Sequence, residues 1–292
     1  MADENTANNR IEGKTILITG ATNGIGFATA HGLARLGGNI IIVGRDATRA
    51  AQTKAEIEKI TTPDKVHILL ADLTAQAEVR RVAAEIQDQF PQLDALINNA
   101  GAVFARRQLT VDGLEMTLAL NHLAPFLLTS LLLDKLKQSG AGRVVTVASM
   151  AHNGARIPFG DINHERGYSS FGVYGQTKLM NIMFTYALAR RLNGSSVTAN
   201  ALHPGVVASN FGASNGGAWK FVFTLARPFF VTSEQGAETS VYLASSPEVA
   251  GESGKYFIKR KPAKSSAASY DVEAQERLWA LSEELTSKSQ PA

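Results

Sequence analysis

"TGATNGIG", residues 19–26, decides how this chain folds. It follows the apolar run "KTILIT" (14–19) and leads into a helix-length segment at 24–36. Gly20, Gly24 and Gly26 punctuate the turn, with Thr22, Asn23 and Ile25 between them. Glycine reaches backbone angles closed to other residues and has no side chain, so an anion can come close to the helix N-terminus. Unpaired N–H groups and the helix dipole favour negative charge there, a pyrophosphate above all. The spacing is G-x-x-x-G-x-G rather than G-x-G-x-x-G, and it is the loop's place between strand and helix that marks it as a dinucleotide turn.

Short apolar runs recur at "NIIIVG" (39–44), "KVHILL" (65–70), "DALIN" (94–98), "GRVVTVAS" (142–149), "SVTANAL" (196–202) and "GKYFI" (254–258). Most lack polar/apolar alternation, which is how strands buried on both faces read. Helical patterns separate them at 47–60, 75–89, 112–138 and 174–193. Alternating β and α with right-handed connections predicts an α/β fold, a Rossmann-type doubly wound parallel sheet of about seven strands with helices on both faces. No composition break marks a linker. The expected organisation is a disordered tail at 1–10 and one catalytic domain over 11–292, with an apolar loop at about 206–232 and a last amphipathic helix at about 271–286.

Composition narrows the functions. The chain has 292 residues, no cysteine and a formal net charge of +3. Thiol catalysis, disulfides and Cys-ligated metals are excluded. The charge is too balanced to argue for nucleic acid, and "KYFIKRKPAK" (255–264) reads as a solvated turn region. His152, His164 and His203 match no ligand spacing, so structural roles and no metal are expected. The N-terminus has no apolar signal segment, and no window of about 18 residues is uninterrupted apolar, which predicts a cytoplasmic protein.

Where the second strand ends, an acidic residue would hydrogen-bond the adenosine ribose of NAD. Gly44 and Arg45 stand there instead. With no carboxylate to repel a phosphate and a guanidinium to pair with it, NADP(H) is preferred, and NAD(H) stays open.

Seven ordered motifs now resemble one family: "TGATNGIG" (19–26), "ADL" (71–73), "NNAG" (98–101), "LNHLAPF" (120–126), "VASM" (147–150), "YGQTK" (174–178) and "HPGVV" (203–207). The chain resembles a short-chain dehydrogenase/reductase over nearly its whole length. "LNHLAPFLLT", "VYGQTKLMN" and "EQGAETSVYLA" make it most similar to the retinol dehydrogenase-like branch, which includes relatives of protochlorophyllide reductase.

The resemblance implies an oxidoreductase that interconverts an alcohol and a carbonyl on an apolar small molecule. It implies a tetrad of Asn121, Ser149, Tyr174 and Lys178, with Tyr174 as acid/base. A free phenol with pKa about 10 is a sluggish proton shuttle near neutrality, and a nearby ammonium lowers it. Tyr174 and Lys178 are i and i+4, so on a helix they share a face. Pro125 lies four residues after Asn121 and lacks an N–H, so the helix should kink there and free the Asn121 carbonyl. In the family that carbonyl holds a relay water. The implied cofactor contacts are Gly20, Thr22, Asn23, Gly24, Ile25, Gly26, Arg45, Asp72, Leu73, Asn98, Ala100, Gly101, Tyr174, Lys178, Pro204, Gly205, Val207 and Ser209.

The apolar loop at 206–232 suits a substrate lid, with Phe159, Tyr168 and Phe171 on the other side of the pocket; packing, oligomer contact or membrane contact through 219–231 are its other readings. A homodimer through helices 112–138 and 174–193 is the family's common pairing. A non-catalytic NADP(H)-sensing regulator is the alternative function, and a sensor has no need of Tyr174 and Lys178.

Overall fold

The computed structural model describes residues 11–206 and 231–287. The expected tail at 1–10, Val207, Ser209 and most of the 206–232 loop lie outside them.

Seven parallel strands form the sheet: β1 (Thr15–Thr19), β2 (Asn39–Gly44), β3 (Val66–Leu70), β4 (Ala95–Asn98), β5 (Arg143–Val147), β6 (Thr198–His203) and β7 (Lys255–Ile258). An eighth, β8 (Lys261–Ala263), pairs antiparallel with β7 at the edge. The order is β3-β2-β1-β4-β5-β6-β7-β8. The direction of winding reverses between β1 and β4, and a crevice opens there at the carboxyl ends of the strands.

The seven parallel strands match the expected number, and the eighth is added at the edge. Residues 255–264 are a hairpin turning through Lys259 and Arg260, both at positive φ (49° and 63°). Pro262 sits in its outer strand, as proline does only where no inner ladder bond is required. The basic side chains of Lys255, Lys259, Arg260 and Lys261 are exposed, as expected for a solvated turn.

Helices cover both faces. On one lie α1 (Gly24–Arg35), α2 (Ala47–Glu58) and α6 (Ser233–Ser245); Leu33, Ile57 and Leu243 pack there with Ile40 and Ile42 of β2 and their neighbours. On the other lie α3 (Gln76–Gln89), α4 (Met116–Gln138) and α5 (Ser170–Arg191), with Ile86, Leu132 and Leu188 in the core. Both faces being covered explains why β1 and β2 carry apolar residues at consecutive positions.

The expected helix at 112–138 starts at Met116, because Gly113 is at φ 72° and the buried Glu115 carboxylate caps the helix by accepting from the Leu118 N–H at 2.8 Å. Within α4, Ala119–Leu123 is π-helical, with the Ala124 N–H bonded to the Ala119 carbonyl. This bulge sits where Pro125 removes an N–H, so the expected kink takes the form of an extra residue in one turn. The full helix is long and apolar enough to cross a membrane by length and composition, but 72% of its apolar window is buried inside the fold.

The C-terminal helix α7 (Val272–Ser287) lies across α4 and α5. Trp279 meets Phe126 edge-on at 5.0 Å and stacks on Phe184 at 5.9 Å, with the Arg191 guanidinium 3.9 Å from its ring centroid. From Thr177 to Leu188 every residue of α5 is buried in a single chain. That stretch of the helix has no open face for pairing.

Candidate active site

A cleft of about 590 Å³ lies at the carboxyl ends of β1, β2, β4, β5 and β6. At one end is the glycine loop. Gly20 (φ 66°) turns the chain out of β1, and a Cβ there would sit 2.8 Å from the Ala100 Cα. A Cβ on Gly26 would meet the Gly20 carbonyl at 2.3 Å. The N-cap of α1, Asn23, makes no side-chain cap bond, and the first turn carries no acid. The N–H groups at this helix start are therefore left for an anion.

The loop is latched to the end of β4. Asn99 Nδ2 donates to the carbonyls of Thr19 (2.9 Å) and Gly20 (3.1 Å). Thr19 Oγ1 accepts from the N–H groups of Asn99 and Ala100, both at 3.0 Å. Asn98, the residue expected to contact the cofactor, is buried on the other side, where its Nδ2 donates to Thr129 Oγ1 at 2.9 Å. Successive strand residues face opposite ways, so only one of the pair reaches the loop.

Gly44 has a steric cause. A Cβ there would lie 2.4 Å from Thr22 Cγ2, so any side chain at the end of β2 would require Thr22 to move. Beyond it Arg45 is exposed and makes no ion pair among the described residues. Arg49, one helical turn on, lines the same rim while bonded to Asp46 at 3.1 Å. Sequence reading missed Arg49 because it looks like an ordinary exposed helix residue. Asp72 and Leu73 line the cleft beside them; Asp72 accepts from the Thr74 N–H at 3.0 Å and hydroxyl at 2.8 Å.

The other end holds Ser149, Tyr174 and Lys178, with Ala100, Gly101, Pro204 and Gly205 around them. The phenol of Tyr174 is hydrogen-bonded to the Ser149 side chain. Lys178 is 3% exposed, donates to the Val147 carbonyl at 2.9 Å and places Nζ 5.5 Å from the Tyr174 ring centroid. Asn121 is wholly buried and does not line the cleft. Its Oδ1 accepts from the Ala102 N–H at 2.9 Å, and its Nδ2 donates to the Ala102 carbonyl at 3.0 Å and to Thr177 Oγ1 at 3.2 Å. The side chain thus ties the β4 loop to α5.

One electrostatic expectation is corrected. Burial pushes the Tyr174 phenol up to about 12, against a smaller downward pull from Ser149, and the ammonium does not offset it. Burial pulls Lys178 down to about 8. With this ring-facing geometry, desolvation outweighs the charge.

Phe104, Leu120, Met150, Phe171 and Val206 give this end an apolar wall, and Met150 and Val206 are each 52% exposed. Of the three aromatic residues expected there, only Phe171 arrives. Phe159 packs under the Arg277 guanidinium at 4.3 Å, and the Tyr168 hydroxyl donates to the Phe104 carbonyl at 2.7 Å. The ends of the 206–232 loop meet beside the cleft, the Val231 N–H donating to the Val206 carbonyl at 2.9 Å.

The short chain dehydrogenase family model matches residues 14–217. The chain belongs to the short-chain dehydrogenase/reductase family. Within this dehydrogenase family it lies in the retinol dehydrogenase-like branch: it is similar to human retinol dehydrogenase 13, 41% identical over 97% of this chain and 87% of the relative. Human polyprenol dehydrogenase is 39% identical over 94% and 85%. A solved structure of an uncharacterized protein from Mycobacterium paratuberculosis matches with a TM-score of 0.77 at 34% identity, covering 96% of each chain. As a dehydrogenase/reductase it is an oxidoreductase with a nicotinamide dinucleotide cofactor, and the cleft fits one: anion-binding N–H groups at one end, proton-carrying hydroxyls at the other.

Proposed function

We propose that this chain is an NADP(H)-dependent oxidoreductase interconverting an apolar carbonyl compound and its alcohol, with Tyr174 as the acid/base. The observation that carries the reading is the hydrogen-bonded Ser149–Tyr174 pair beside buried Lys178, at the far end of a cleft headed by the glycine loop. The bound dinucleotide would supply the hydride. The glycine loop, Asp72, Ala100, Gly101, Pro204 and Gly205 would hold it along the cleft. Ser149 hydrogen-bonds the substrate oxygen as negative charge grows on it. Tyr174 gives that oxygen its proton during reduction and takes it back during oxidation. Lys178 holds positive charge beside the phenol, and Asn121 keeps the Ala102 loop and α5 in register.

Arg45 and Arg49 support NADP(H). A charge-assisted bond to the 2′-phosphate strengthens binding by about 1.5–3 kcal/mol, tempered here by solvent. Arg45→Ala is therefore expected to weaken NADPH by about tenfold and leave NADH nearly unchanged, measured by fluorescence titration. Equal losses for both cofactors would remove the phosphate role.

The exposed apolar residues support the substrate class, as do relatives named for retinol and polyprenol. Each buried CH₂ is worth about 0.8 kcal/mol. Along a series of straight-chain aldehydes with NADPH, kcat/KM is expected to rise about two- to fourfold per carbon until the wall is covered. A flat series would contradict an apolar site.

A further inference from the structure

The peptide unit between Ser149 and Met150 is gripped from two sides by imidazoles. The Ser149 carbonyl accepts from His152 Nδ1 at 2.6 Å and from the His152 backbone N–H at 3.2 Å. The N–H of the same unit, on Met150, donates to His203 Nδ1 at 3.3 Å. His152 is 1% exposed and His203 6%. The partners have fixed polarity: a carbonyl only accepts and a backbone N–H only donates. His152 must therefore carry its proton on Nδ1, and its bare Nε2 accepts from the Ser266 N–H at 3.0 Å. His203 must leave Nδ1 bare. Both imidazoles are neutral here, and burial holds both below the ordinary histidine range.

Ser266 belongs to a segment after β8 that also reaches the helix of Tyr174. The Tyr186 hydroxyl, on α5, shares a hydrogen bond with Ser265 Oγ at 2.8 Å, and Ser265 Oγ with Ser269 Oγ at 2.6 Å. One segment thus grips α5 through Ser265 and the Ser149 turn through Ser266 and His152. Those are the two elements whose hydroxyls must stay together for proton transfer.

We infer that His152 is a positioning residue: its Nδ1–H holds the Ser149 peptide and so sets the Ser149 hydroxyl against Tyr174, while Ser266 of the 264–270 segment steadies the ring as a secondary contact. The inference rests on the reduction proposed above. Displacements of about 1 Å at a reacting centre can lower rates by about 100-fold.

Two substitutions separate the halves of the link. In His152→Asn the amide stands where Nδ1 stood and can still donate to the Ser149 carbonyl, while the Ser266 contact is lost. In His152→Gln the amide stands where Nε2 stood and keeps Ser266, while the Ser149 contact is lost. With NADPH and decanal, His152→Gln is expected to lower kcat about 10- to 100-fold with KM changed less than about threefold, and His152→Asn to recover most of that loss. Melting temperatures of the two variants are expected not to follow that order. Ser266→Pro is a second route: Ser266 has φ −63°, which proline adopts, and the change removes the N–H that faces Nε2 together with a buried hydroxyl that makes no hydrogen bond. It is expected to lower kcat several-fold.

Wild-type kcat in His152→Gln, or an Asn variant no better than the Gln variant, overturns the inference. If the wild-type protein reduces no carbonyl, the reductase reading fails separately, and crystal structures of the two variants decide the link. Ser149 drawn away from Tyr174 in the Gln variant alone supports it; Ser149 in place in both overturns it.

Discussion

Tyr174→Phe is expected to lower kcat by about 1,000-fold or more while NADPH affinity changes less than about threefold. The ring stays, so the wall of the cleft and the contact under Lys178 stay with it. What goes is the one hydroxyl that is hydrogen-bonded to Ser149 in the cleft. General acid catalysis contributes about 100- to 10,000-fold, and losing the proton donor also leaves the Ser149 hydroxyl with the Ala151 N–H but without the phenol. Steady-state turnover and cofactor titration on the same preparation measure both. Retention of more than about a tenth of the activity would remove Tyr174 from the proton step. With the phenol pushed up to about 12, it is protonated throughout the neutral range in the free protein. It therefore stands ready as an acid for reduction, whereas oxidation requires it first to lose that proton.

Lys178→Met is expected to abolish activity and raise stability. An ammonium that is 3% exposed is held at a pKa of about 8 against 10.5 for a free lysine. At 1.36 kcal/mol per pKa unit this is about 3 kcal/mol of desolvation at neutral pH, partly offset by the bond to Val147. The sign follows from the two states. Below about pH 8 the amine is charged both folded and unfolded, and the full penalty applies. As pH rises from 8 towards 10.5 the folded form is neutral while the unfolded one still binds a proton, and the penalty disappears. Denaturant unfolding at pH 7 is expected to show the variant more stable by about 2 kcal/mol, with the gap closing near pH 10. A less stable variant at pH 7 would mean that Lys178 holds this part of the fold together. A residue that costs stability where it stands is what a functional site leads one to expect.

The parallel sheet was legible because β1, β2 and β5 read as unbroken apolar runs, a pattern that needs no knowledge of what packs on them. β8 was not, since three residues including Pro262 look like a turn until β7 is seen to need an outer neighbour. The glycine loop, Ser149, Tyr174 and Lys178 line one cleft, as the resemblance to the family implied. Asn98 was chosen over Asn99 because spacing does not say which of two adjacent asparagines faces the loop. Asn121 lies one shell behind the cleft for the same kind of reason, as its orientation follows from the π-helical turn around it. The lowered Tyr174 pKa expected from i,i+4 spacing did not survive burial, because spacing carries no information about dielectric. The His152 link joins residues 114 positions apart, which no local pattern reports.

The most direct measurement incubates purified protein with NADPH and, in turn, all-trans-retinal and decanal, and follows the alcohol by chromatography. Alcohol is expected to form in step with NADPH consumed, faster than with NADH, and to be lost in Tyr174→Phe. NADPH that binds but yields no alcohol from either aldehyde would contradict it.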